Sequence, residues 1–128
     1  MALTRDFRQT ITARVQSEPA YARALLQQAT SLLLQGEPHT AKLLLRDLVN
    51  ASIGFEQLAR DMDKPPKSLH RMLSATGNPT LSHVSAMLAA IAAHLGVEIQ
   101  ARVKPAQSIY QTVMQLRETW PPLDDTGL

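Results

Sequence analysis

The residues best placed for chemistry lie between Lys64 and Arg71. Lys64, Lys67 and Arg71 are cationic, Ser68 and His70 stand among them, and no acid interrupts the run. Such a set suits a polyanion. Arg, Lys, Ser and His can reach the base edges of the DNA major groove or the adjacent phosphates. Three like charges are also what a solvated helix face carries, so the surrounding apolar spacing must decide between the two readings. Lys67, Ser68, His70 and Arg71 are the candidates for base or neighbouring phosphate contact. Lys64, Ser74, Thr76 and Asn78 are the candidates for positioning a nucleic-acid backbone.

Other chemistries find less support. His39, His70, His83 and His94 are the four histidines. On one helix, His83 and His94 would stand roughly 16 Å apart along the axis, too far to share a metal. The usual close ligand spacings are absent. Asp61 and Asp63 flank a turn and suit capping or solvation better than acid–base work. Ser68 and His70 are two apart on a helix and do not face each other. The five glycines are isolated, so no phosphate loop is present. No catalytic residue, metal or cofactor is therefore expected, and the chain reads as a non-enzyme.

The candidate residues require a particular frame. Phe55, Leu58, Ala59 and Met62 recur at helical spacing, which predicts a helix over Phe55–Met62. Asp63 and Lys64 break it, and Asp tolerates the left-handed backbone of a tight turn. Pro66 suits a first helical position. A second helix, Pro66–Ser74, then buries Leu69, Met72 and Leu73 and turns Lys67, Ser68, His70 and Arg71 outward. Thr80 is placed to cap a third helix, in which Leu81, Val84, Leu88, Ile91 and Leu95 form the stripe and Gly96 the end. Its N-terminal amides could also meet a phosphate.

The span Lys42–Val97 resembles the helix–turn–helix domain of the Cro/C1 repressor type. The residues that carry it are Leu58-Ala59, Ser68-Leu69 and Gly77-Asn78-Pro79-Thr80-Leu81. More narrowly, Met1 to Val97 resembles the addiction-module antidote proteins, the HigA-like antitoxins. That likeness lies in the opening ALTRDF, the LLLRD run toward Asn50, GFEQLA, KPPKSLHRML and GNPT. Two positions depart from the pattern. Asp63 stands where a turn glycine is usual, and Phe55 where many such repressors carry a phosphate-contacting Gln. The resemblance implies a repressor that reads a double-stranded DNA operator as a homodimer, with Pro66–Ser74 as recognition helix. It also implies an antitoxin whose partner is a ribonuclease toxin. A stand-alone regulator and a scaffold for protein contacts alone are the alternatives.

The rest of the chain fits an all-α helical bundle. Leu3, Phe7, Ile11 and Val15 predict a helix over Thr4–Gln16. Ser17 suits the N-cap of a second, which ends at Gly36. Glu37-Pro38 open a third, with Leu43, Leu44, Leu45, Leu48 and Val49 as its apolar side. The first two helices exceed what a minimal DNA-reading module needs. They enlarge the core, form a dimer face or hold a partner. Val97 to Lys104 alternates apolar with polar residues, as a short strand would, or as an extended segment packed on the domain. Gln107–Glu118 could form a last helix with Ile109, Val113 and Leu116 inward, and Trp120–Leu128 a tail. The expected divisions are a helical pair at 1–36, a DNA-binding domain at 37–104, and a C-terminal helix and tail at 105–128.

Composition agrees with one moderately sized domain. Of 128 residues, 45% are hydrophobic and 19% charged, and there is no cysteine, which excludes disulfides and thiolate sites. The net charge is +2. Residues 1–53 carry six Lys/Arg against four Asp/Glu, residues 54–104 the same, and residues 105–128 one against three. DNA binding must thus come from local placement of charge rather than a global field. No apolar run is long enough to cross a membrane, and Arg5, Asp6 and Arg8 do not fit a signal peptide. A cytoplasmic location is expected.

Overall fold

The structure, a computed structural model, describes residues 2–106 and 113–117, with side chains from residue 8 onward. Six helices follow one another: α1 (Ala2–Ser17), α2 (Pro19–Leu34), α3 (Pro38–Ala51), α4 (Phe55–Met62), α5 (Pro66–Met72) and α6 (Leu81–Leu95). Residues 113–117 are also helical.

Proline sets three of the starts. Pro19, Pro38 and Pro66 each occupy the first turn of a helix, where the missing N–H costs nothing. A proline also disfavours helical backbone in the residue before it. Glu18 accordingly sits at φ −129°, ψ 93° and becomes the N-cap of α2. The Ser17 cap expected from sequence is not formed. Ser17 instead closes α1, its hydroxyl donating 2.8 Å to the Ala13 carbonyl.

Three helix ends share one device. After α2, α4 and α6, one amide shortly past the end bonds three residues back and the next amide bonds five back. The pairs are Gly36/Glu37, Asp63/Lys64 and Gly96/Val97. This Schellman pattern needs a left-handed residue at its turn. Gly36 and Gly96 supply it at φ 86° and 70°, and Asp63 supplies it at φ 54°, ψ 49°. Thr80 caps α6 as expected, its Oγ1 accepting from the His83 amide at 3.2 Å.

One buried cluster draws on all six helices. It runs from Ile11 and Val15 through Ala22, Leu26, Leu45 and Leu48 to Leu58, Leu69, Met87 and Ile91. α2 packs chiefly on α3, α1 lies across both, and α4 rests on α5 and α6. The first two helices are thereby part of this core. Buried Thr30 satisfies its hydroxyl on the Leu26 carbonyl at 2.8 Å. Arg14 lies over the Tyr21 ring, 4.1 Å from its centroid, at the corner between α1 and α2.

Several expectations are corrected. Leu43 is half exposed, because three consecutive leucines cannot share one helical face; α3 buries Ala41, Lys42, Leu45, Leu48 and Val49 instead. Leu81 lies in the first turn of α6 and is exposed, and Met87, Ile91 and Ala92 are the buried residues of that helix. The alternating segment forms no strand, and none occurs among the described residues. Val97 and Ile99 pack on the core, while Ala101 and Val103 face solvent. A strand needs a neighbouring edge, and the described residues offer none. Val113 and Leu116 are exposed rather than inward. The side chains of Leu3 and Phe7, Ile109, and the tail from Trp120 lie outside the described residues.

Candidate nucleic-acid interface

α4, its turn and α5 form one unit around the buried side chains of Phe55, Leu58, Ala59 and Leu69. Phe55 and Leu58 point inward from α4, and Leu69 from α5 is wholly buried. Leu73, just past the end of α5, is buried beside them. Fixing Leu69 and Leu73 inward forces the opposite side of a seven-residue helix into solvent. Lys67, His70 and Arg71 are exposed there, and Lys64 is exposed in the turn before it. Ser68, expected outward, is half-buried, and so is Met72, expected in the core: both lie at the flank of the helix between its buried and open sides. From Lys64 to Val97 the sequence contains no Asp or Glu. α5, the loop after it and α6 therefore present a surface with no acid of their own.

His70 is held differently from its neighbours. Its ring stacks on Phe55, with centroids 4.0 Å apart and planes 23° apart. One face of the imidazole is thus committed to α4, and its edge remains open. Phe55, buried on α4, acts as a prop beneath α5. Offset aromatic pairs contribute about 0.5–1.5 kcal/mol beyond burial.

The loop after α5 begins two residues earlier than the spacing implied. Met72 is the last helical residue and Leu73 the cap. Ser74 then folds back, its hydroxyl donating to the Arg71 carbonyl at 2.7 Å and its amide to the same oxygen at 3.2 Å. The Gly77 amide bonds the Ser74 carbonyl at 3.1 Å. Gly77 is pressed against the end of α5. A Cβ there would lie 2.5 Å from the Met72 carbonyl oxygen and closer still to that of Arg71. Only glycine permits this approach without a backbone shift. Thr76 and Asn78 are exposed on either side of it.

Lys42 is the residue that sequence reasoning missed. It lies on α3, is 8% exposed, and directs its Nζ to the carbonyls of Gly77 at 2.6 Å and Ala75 at 3.3 Å. Its register gave a signal: Lys42, Leu45 and Val49 step by three and four along one face. The Phe55–His70 stack had no such signal, being a contact between residues far apart in sequence.

On α4, exposed Gln57 donates to Asp61 at 2.8 Å and accepts from Arg60 at 2.8 Å, which ties these three polar side chains to one another. Asp61 thus serves the outer face of α4, and Asp63 ends the helix. No group of three or more metal-ligating side chains occurs among the described residues, and no helix among them is long and apolar enough to cross a membrane. Set against protein-family models, curated proteins and solved structures, the chain matches none.

Proposed function

We propose that this chain is a sequence-specific DNA-binding regulator, a repressor acting as a homodimer that places α5 in the DNA major groove. The observation that carries the proposal is the two-sidedness of α5. Leu69 is locked in the core, while Lys67 and Arg71 are exposed on a helix within a stretch, Lys64 to Val97, that carries no Asp or Glu. The tight turn at Asp63 and the spacing of α4 and α5 suit a helix–turn–helix of the Cro/C1 type. In that arrangement the second helix enters the groove while the first crosses the backbone. Lys67 and Arg71 then read bases or adjacent phosphates. His70, propped on Phe55, offers its edge. Lys64, Thr76 and Asn78 meet the backbone. Ser68 and Ser74 sit closer to the protein and act over a shorter reach.

The resemblance to HigA-like antitoxins extends the proposal to a protein partner, a ribonuclease toxin, held while the operon is repressed. The test for DNA is a mobility shift on duplex DNA at low salt, where even non-specific binding is visible. A shift that is lost in the Lys67→Glu/Arg71→Glu double variant supports the reading. No shift by the wild-type chain favours a scaffold that serves protein contacts only. The test for the toxin is co-purification from the native host. A small basic protein encoded next to this chain, recovered with it, supports the antitoxin role. Recovery of the chain alone, with DNA binding intact, leaves a stand-alone regulator.

A further inference from the structure

We propose that Lys42 is a positioning residue for the DNA contact, holding the α5–α6 loop in place from beneath. This rests on the DNA-binding reading above. A lysine on a buried helix face normally extends its ammonium to water while its stem stays apolar. Lys42 does otherwise: it is 8% exposed and its Nζ stops at two backbone carbonyls. No carboxylate among the described residues forms an ion pair with it. Two backbone carbonyls accept from the ammonium, and the 2.6 Å bond to Gly77 is short even for a charge-assisted one.

The two carbonyls belong to the segment that needs holding. Ala75 and Gly77 flank Thr76, and Asn78 follows. The segment has no regular structure between the end of α5 and the Thr80 cap of α6. On the side of α5 it is limited by the close approach of Gly77 to the Arg71 and Met72 carbonyls. From below it is limited by Lys42. Together these fix the loop height relative to α5, and so fix Thr76 and Asn78 relative to Lys67 and Arg71. A neutral side chain of similar length would fill the space but leave both carbonyls without their cation. Lys42 does not itself reach the surface, so it acts through the loop.

The experiment compares the wild-type chain with Lys42→Met, Lys42→Arg and Lys67→Ala. Two probes are used: a duplex fragment enriched from genomic DNA by the wild-type chain, and a short duplex of random sequence. Lys42→Met should weaken binding to the enriched fragment by about tenfold, because the loop loses both hydrogen bonds that the ammonium makes to its carbonyls. Its binding to the random duplex should change less than about twofold, because the number of cations facing phosphate is unaltered. The slope of log affinity against log salt should stay at the wild-type value in Lys42→Met and fall by about one in Lys67→Ala. Amide exchange should quicken at Gly77 while the α2 amides keep their protection, and Lys42→Arg should restore part of the affinity.

Wild-type affinity for the enriched fragment in folded Lys42→Met overturns the inference and leaves the DNA reading intact. So does a salt slope reduced by one in Lys42→Met, which would make Lys42 a direct phosphate ligand. Absence of any duplex binding by the wild-type chain overturns both. Should Lys42→Met fail to fold, Lys42→Gln, with a shorter neutral side chain, is read by the same comparison.

Discussion

Asp63 allows the turn between α4 and α5 to be tested by a stability measurement alone. It is the one non-glycine residue with positive φ among the described residues, at 54°. Its partners in the same motif at the ends of α2 and α6 are glycines. Left-handed backbone costs an ordinary L-residue about 1–2 kcal/mol, and Asp somewhat less because its short side chain bonds locally. Replacement by glycine removes that cost but adds roughly 0.5–1 kcal/mol of unfolded-state entropy. It also removes an anion from the negative end of α4, worth about 0.3 kcal/mol at an exposed site. The sum favours Asp63→Gly over wild type by about 0.5 kcal/mol. Asp63→Ala loses the carboxylate and keeps the full left-handed cost, so it should be the least stable of the three. The gap between the two variants should be about 1 kcal/mol, or roughly 3–5 °C in thermal midpoint for a chain of this size. Thermal unfolding followed by circular dichroism at α-helical wavelengths measures it. Equal midpoints for the two variants, or the alanine variant above the glycine variant, would refute the left-handed turn. Both variants lose the same charge beside Lys64. A difference between them in DNA affinity would therefore report turn geometry rather than electrostatics.

Three further outcomes are expected. Leu69→Ala empties a fully buried site and should cost about 2–5 kcal/mol in denaturant unfolding. Gly77→Ala drives a methyl group into the Arg71 and Met72 carbonyls and should destabilise by about 1–3 kcal/mol; Gly77→Ser should do the same, since the clash is with the Cβ itself. Arg71→Ala should leave the thermal midpoint nearly unchanged, as surface replacements shift stability by less than about 0.5 kcal/mol. The same variant should weaken specific DNA binding by about 1–3 kcal/mol if Arg71 pairs a guanine, and titration of the enriched fragment reads that loss.

What could be read from sequence was local. Proline at the first helical position, the glycines ending α2 and α6, the Thr80 cap and the Asp63 turn all depend on residues within a few positions of one another. Each of these appears in the fold. The burial of Leu69 and Leu73 followed from periodicity, and with it the exposure of Lys67, His70 and Arg71. The centre of an apolar face was harder to place. In α3 the leucine run drew attention to Leu43, yet the buried line passes through Ala41, Lys42, Leu45 and Leu48. In α6 the spacing predicts a stripe that includes Leu81, which lies beyond the reach of the core. The alternation from Val97 onward was ambiguous because a strand is defined by its neighbour, and alternation says nothing about whether one is present. Hydroxyl residues favour N-caps, which points to Ser17, whereas Pro19 decides which residue must be extended, and that residue is Glu18. The lysine beneath the loop and the imidazole on Phe55 required tertiary distances.

The central claim is that α5 reads DNA as one half of a two-fold pair. The most direct measurement is selection of bound fragments from the genomic DNA of the native host by the purified chain. The expected result is a palindromic motif whose half-sites lie about one helical turn, ~34 Å, apart. No enrichment over input at low salt would contradict it.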